Sequence, residues 1–200
     1  MPSRASIAPA ILGLLILLLI FIFSGCGGGG DKEGSGVSGA VATGADFDRA
    51  FIDAMVPHHE SAVDMAWEAK RAGLTQRDLK KVADDIIDTQ QAEIAQMKSW
   101  REEWFGSAEI DPDGAAALGL SNDEMGMAHD ASAIAEAPDP DAAFASMMID
   151  HHEGAIAMAE LADERADRSE IKSLARAIIE AQEREIEVLE PHASGVHHGG

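Results

Sequence analysis

Adjacent histidines occur in "MVPHHE" at residues 55–60 and again in "MIDHHE" at residues 148–153. In each copy a methionine stands three residues before the first histidine and a glutamate follows the second. Neutral imidazole is a common ligand for transition metals, and a thioether beside it shifts preference toward soft ions such as Cu(I). Cys26 is the only cysteine, so an intramolecular disulfide and a thiolate cluster are both ruled out. Any metal must be held by His, Met or carboxylate groups. No nucleophile triad, phosphate-binding glycine loop or aromatic nucleic-acid platform is present.

The repeat extends beyond these six residues. Phe51, Met55, His58, His59, Glu60, Ala62 and Met65 correspond to Phe144, Met148, His151, His152, Glu153, Ala155 and Met158. After a one-residue shift, Ile86, Ile87, Gln90, Glu93 and Ile94 correspond to Ile178, Ile179, Gln182, Glu185 and Ile186. Both segments are rich in Ala, Met, Ile, Glu and Gln and show no strand-like alternation, so each repeat reads as a helical hairpin. The pattern predicts helices over 46–71, 76–104, 141–165 and 168–190. The fold class is therefore all-α, an antiparallel four-helix bundle over 46–192. Its parts are hairpin one (46–104), a crossover (105–140) and hairpin two (141–192).

Helical phase says which residues face inward. Phe51, Met55, His58, Ala62 and Met65 follow the 4-3-4-3 spacing of a bundle-core stripe, as do Phe144, Met148, His151, Ala155 and Met158. His59 and His152 fall on the flank of the stripe, and Glu60 and Glu153 point outward. On the second helices the core lines run Leu79, Ile86, Gln90, Glu93, Met97 and Ile171, Ile178, Gln182, Glu185, Leu189. Counted from the turns at Gly73 and Asp167, His58 is level with Gln90 and Met55 with Glu93, and the second repeat follows suit. Packed about a pseudo-twofold, His58, His151, Glu93 and Glu185 are expected to meet Gln90, Gln182, Met55 and Met148 in one layer.

Such a layer needs compensation, because an unpaired buried carboxylate or imidazolium costs several kcal/mol. A hydrogen-bonded network among Glu, His and Gln is one solution. A bound cation is the other, and bundle cores commonly build metal sites from facing helices. The metal reading makes His58 and His151 the primary ligands, with Met55 and Met148 as soft ligands. Glu93 and Glu185 either bind directly or hold the imidazoles from behind, with Gln90 and Gln182 in support. Di-iron bundles carry Glu-x-x-His on two helices. This chain has Met-x-x-His at both places, which favours copper over iron. Met65, Met97 and Met158 read as core, while Met147 lies off the core line.

The flanking segments have other roles. Arg4, the apolar run Ile11 to Phe23 and "FSGC" at residues 23–26 resemble a bacterial lipoprotein signal, which implies cleavage of 1–25 and a lipid on Cys26. A transmembrane anchor is the competing reading, and both place the domain outside the cytoplasm. Residues 26–45 are a Gly/Ser-rich tether. In the crossover, Ser121 with Asp123 and Glu124 predicts a short capped helix. There Met125, Met127 and His129 form either an exposed accessory metal arm or a loop with incidental methionines. The tail 193–200 and the residue before it offer His192, His197 and His198. A net charge of -21, from 36 acidic and 15 basic residues, disfavours nucleic acid as a partner and attracts cations.

The segments "FDRAFIDAMVPHHESAVDMA", "IIDTQQAEIAQMKSW", "FASMMIDHHEGAIAMAELA" and "IIEAQEREIEVL" resemble domain-of-unknown-function family 305. That resemblance covers about residues 46–192 and implies a ferritin-like four-helix bundle, usually extracytoplasmic, with copper binding and resistance among some members. By motif match it implies metal ligands at Met55, His58, His59, Met148, His151 and His152. One departure is Pro57, where the second repeat has Asp150, so the first helix alone is expected to bend.

Three functions stay open at this point. They are a membrane-tethered metal-binding protein that sequesters or passes on copper, a ferritin-like redox enzyme using the same pocket, and a cell-surface interaction module without metal.

Overall fold

The computed structural model describes residues 44–193. The leader, Cys26, the tether before Gly44, and His197 and His198 lie outside the described residues. The elements are α1 (Ala45–Ala72), α2 (Arg77–Phe105), a 3-10 helix (Gly114–Leu118), α3 (Ser132–Glu136), α4 (Pro140–Arg165) and α5 (Ser169–Ala193). The expected all-α four-helix bundle is formed by α1, α2, α4 and α5. Helix α1 pairs with α2, α4 with α5, and α1 with α4 across the hairpins, with α2 and α5 closing the ring. Among the described residues no helix is long and apolar enough to cross a membrane.

Local chemistry sets the ends of the long helices. Gly73 adopts φ 88 and donates its N–H to the carbonyls of Ala69 and Lys70, a left-handed stop that costs other residues more than glycine. Asp139 caps α4 by accepting from the Ala142 N–H, and Pro140 follows at the first helical position. Helix α1 continues through Pro57.

The other caps are tertiary and reciprocal. Asp48 of α1, fully buried, accepts from the N–H groups of Asp167 (2.9 Å) and Arg168 (3.1 Å) at the turn into α5. Asp141 of α4, at the matching place in the second repeat, accepts from the Thr75 N–H at 2.9 Å, at the turn into α2. Each hairpin thus caps the turn of the other.

The crossover differs from expectation. The turn at Ser121 carries the foreseen reciprocal bonds, Ser121 N–H to Glu124 Oε2 (2.8 Å) and Glu124 N–H to Ser121 Oγ (3.3 Å). No helix follows, because Gly126 at φ 66 leaves helical conformation after one turn. The short helices lie instead at Gly114–Leu118 and Ser132–Glu136, and both pack on α1. This makes α1 the central helix, buried at nearly every position from Phe47 to Val56.

Two apolar clusters fill the core. Phe47, Phe51, Met55, Met97, Met158 and Ile171 belong to one, and Met65, Leu79, Ile86, Phe144, Met148 and Leu189 to the other. Along α1 the histidines separate Met55 of the first cluster from Ala62 of the second, and along α4 they separate Met148 of the second from Ala155 of the first. A polar layer therefore cuts the core at mid-height.

Candidate metal centre

That layer is a row of six side chains running across the bundle. His58 and His151 stand at its middle, each 1% exposed, with ring centroids 3.8 Å apart and planes tilted by 37°. His59 and His152 flank them, both fully buried, at centroid distances of 6.3 Å from His58 and 6.5 Å from His151 respectively. At the two rims, His59 Nε2 bonds Glu93 Oε2 at 2.9 Å and His152 Nε2 bonds Glu185 Oε2 at 2.7 Å.

The two central imidazoles are neutral. Burial, reinforced by repulsion from His59, lowers the His58 pKa from 6.5 to about 3 against the opposing effect of its bond to Met125. Burial, followed by repulsion from His58 and His152, also holds His151 well below the usual histidine range. Protonating both rings would place two charges 3.8 Å apart in a buried layer.

Several polar atoms in the layer lack hydrogen-bond partners: Nδ1 of His58, His59 and His152, both ring nitrogens of His151, and Oε1 of Gln90 and Gln182. Buried native polar groups are nearly always satisfied, so this concentration of unpartnered ring nitrogens and amide oxygens is a set of groups that a bound cation could satisfy. The donors of the layer suit a soft or borderline cation, since neutral imidazole needs no deprotonation before it ligates. Among the described residues no three His, Cys, Asp or Glu side chains gather closely enough to hold a metal ion. The preformed element is the histidine pair.

Several expected placements are corrected. Glu93 and Glu185 are not sunk in the core: their side chains are 25% and 17% exposed, and they engage His59 and His152 rather than His58 and His151. Met55 and Met148 are fully buried but belong to different clusters on opposite sides of the layer, so they do not meet there. Antiparallel packing of α1 on α4 is the reason, since a residue one turn before His58 and one turn before His151 lie in opposite directions. Met125 is 4% exposed and packs in the core, and Met127 is half-buried, so neither belongs to an exposed arm. His129 lies 3.3 Å from Asp150, and His192 bonds Asp78 at 2.9 Å at the end of α5. Gln90 and Gln182 are buried as expected, and Glu60 and Glu153 are exposed.

Other buried groups were not foreseen. The Met125 carbonyl accepts from His58 Nε2 at 2.9 Å. Arg101 donates to Asp53 through Nε (2.8 Å) and Nη2 (3.2 Å) and to the Ser107 carbonyl at 3.1 Å, tying α1, α2 and the crossover together. The sequence held a signal for part of this. Arg101 continues the Met97 stripe by four residues, and Asp48 precedes Phe51 by three.

The family model described as Domain of unknown function (DUF305) covers residues 38–77 and 69–192. The chain belongs to the DUF305 family. Among solved structures, this DUF305 protein is similar to CopM in its Cu(I)-bound form, at 33% identity over 75% of this chain and 97% of that chain, with TM-score 0.63. The Cu(II)-bound form of CopM is similar at 34% identity over 74% of this chain and 96% of that one, with TM-score 0.64. CopM is also known in an Ag-bound form, at 32% identity and TM-score 0.63 over 75% of this chain and 97% of that one. A DUF305 protein from Streptomyces coelicolor shows 27% identity over 72% of this chain and 91% of its own, with TM-score 0.64. No curated protein matches the chain.

Proposed function

We propose that this protein binds copper, preferentially Cu(I), at the mid-height of the bundle, and sequesters it or passes it on. The observation that carries the reading is the closely packed pair His58 and His151, buried and neutral, with three of its four ring nitrogens free of hydrogen bonds. A monovalent soft ion tolerates few ligands and adds little charge to a dry core, which suits two imidazoles better than a hard divalent ion. The likeness to CopM, solved with Cu(I), Cu(II) and Ag, supports the same choice. Met-x-x-His in place of Glu-x-x-His favours binding over di-iron redox turnover.

His59 and His152, held by Glu93 and Glu185, buttress the layer from its rims. The lipoprotein-like segment ending at Cys26 and the charge of -21 fit a module carried on the outer face of a membrane, where it meets cations before they reach the lipid.

Titration with Cu(I) tests the reading, using wild type and a His58→Ala, His151→Ala variant, both lacking residues 194–200 so that His197 and His198 add no sites. The tightest site should vanish in the variant. Bound metal should also raise the wild-type Tm, because a ligand bound only to the folded state stabilises it. Equal Cu(I) affinity in the two proteins would leave the layer as a hydrogen-bonded structural network.

A further inference from the structure

The crossover makes the two central histidines unequal. Between Ser121 and Met127 the backbone closes on itself, with Met125 N–H donating to the Ser121 carbonyl (3.0 Å), Gly126 N–H to Asp123 (3.0 Å) and Met127 N–H to Asn122 (2.9 Å). This turn is pressed against α4. A Cβ on Gly154 would lie 2.1 Å from the Met125 carbonyl carbon and oxygen, and one on Gly126 would lie 2.3 Å from the Asp150 oxygen. Only glycines permit the approach. The first-repeat counterpart of Gly154 is Ser61, so the duplication itself does not encode it.

The approach delivers the Met125 carbonyl to His58 Nε2 at 2.9 Å in a buried setting. A carbonyl oxygen can only accept, so Nε2 must carry the proton. A neutral imidazole has one N–H, which leaves the lone pair of His58 on Nδ1. His151 has no partner on either nitrogen. No hydrogen bond fixes its ring, whereas that of His58 is tied.

We infer that the crossover turn 121–127 is a positioning device for the histidine pair: the Met125 carbonyl fixes His58 as the Nε2–H tautomer, so that His58 presents Nδ1 to a soft monovalent cation while His151 supplies the movable second nitrogen. The inference rests on the proposed metal-binding reading. It adds the atom each histidine uses and the segment that decides it. The two rings lie 3.8 Å apart with planes tilted by 37°, and the carbonyl holds only one of them, so any adjustment that lets both ligate falls to His151.

Imidazole NMR of the isotope-labelled full chain, free of metal and then titrated with Ag(I), tests this. In the metal-free protein His58 should show the Nε2–H tautomer with a slowly exchanging proton. Ag(I) should shift His58 Nδ1 and leave Nε2 protonated. Gly154→Ala, which drives the turn off α4, should give His58 averaged tautomers and weaken Ag(I) binding about tenfold, the loss typical when the group orienting a ligand is removed. Gly126→Ala should do the same from the other side, so the test survives if one variant fails to fold. Met125→Leu keeps the carbonyl and should change neither readout. An Nδ1–H tautomer in the wild type, loss of the Nε2 proton on Ag(I) binding, or a Met125→Leu defect as large as that of Gly154→Ala would each overturn the inference. Failure of wild type to bind Ag(I) would sink the metal reading, and the metal-free spectrum would still decide the tautomer.

Discussion

Hairpin one and hairpin two share a pattern but not an environment. Phe51 and Phe144 are both fully buried, His59–Glu93 and His152–Glu185 repeat at 2.9 and 2.7 Å, and Asp48 and Asp141 each cap the opposite turn. The differences arise where the crossover runs back over the first hairpin. Asp53 and Arg101 form a buried pair there, closed by Gly114, where a Cβ would lie 2.3 Å from that of Asp53. The matching residues of the second hairpin, Ser146 and Ala193, form no such pair. His58 is bonded to the crossover and His151 is not. Duplication supplies a symmetric set of donors, and one asymmetric connection decides how they are held.

The largest expected effect tests the ion pair. Arg101→Ala removes both hydrogen bonds to the buried Asp53 carboxylate, leaving it the half-exposed Arg49 at 3.5 Å, and should cost about 3 kcal/mol. Ser146→Ala, at the position matching Asp53 in the other hairpin, should change stability by less than about 0.5 kcal/mol. Denaturant melts of both variants decide it, and equal losses would erase the asymmetry.

Next come the reciprocal caps. Asp48→Ala leaves two backbone N–H groups and the Arg168 guanidinium without their acceptor, and should cost about 2 to 3 kcal/mol. Asp141→Ala acts at a more exposed turn and should cost about 1 kcal/mol. If the order were reversed, the second hairpin would be the more dependent on its neighbour.

Acid should act through the layer. His58 titrates at about 3 in the folded chain and near 6.5 when unfolded, so the unfolded state binds more protons once the pH drops below 6.5. Stability is then lost as pH falls from 6.5 toward 3, by up to about 1.4 kcal/mol per unit, or about 2 kcal/mol at pH 5 from His58 alone. His151 shifts in the same direction and adds to the loss. Melts of wild type and His58→Ala at pH 7 and pH 5 should show a smaller pH penalty in the variant. An equal penalty would remove His58 as its source.

The smallest effect belongs to the outward glutamates of the motif. Glu60 meets Lys98 at 2.7 Å on the surface, and Glu153 is likewise exposed. Glu60→Gln and Glu153→Gln should each change stability by less than about 1 kcal/mol. Neither should alter copper affinity in the titration used for the histidines. A loss of affinity would extend the site beyond the layer.

The sequence by itself determined the four long helices, their ends to within a few residues, the hairpin repeat, and the burial of His58, His151, Gln90 and Gln182. Those features follow from spacing along one chain, which a 3.6-residue period converts directly into a face. Spacing gives a face but not the level at which that face meets another helix. Tertiary packing alone therefore decided that Glu93 and Glu185 sit at the rims beside His59 and His152, and that Met55 and Met148 part to opposite sides of the layer. The same limit hid the Met125 carbonyl, since a main-chain oxygen leaves no mark on residue type. Its place at His58 depends on two glycines that let the crossover reach α4, a contact of sequence separation 67 that no local pattern records.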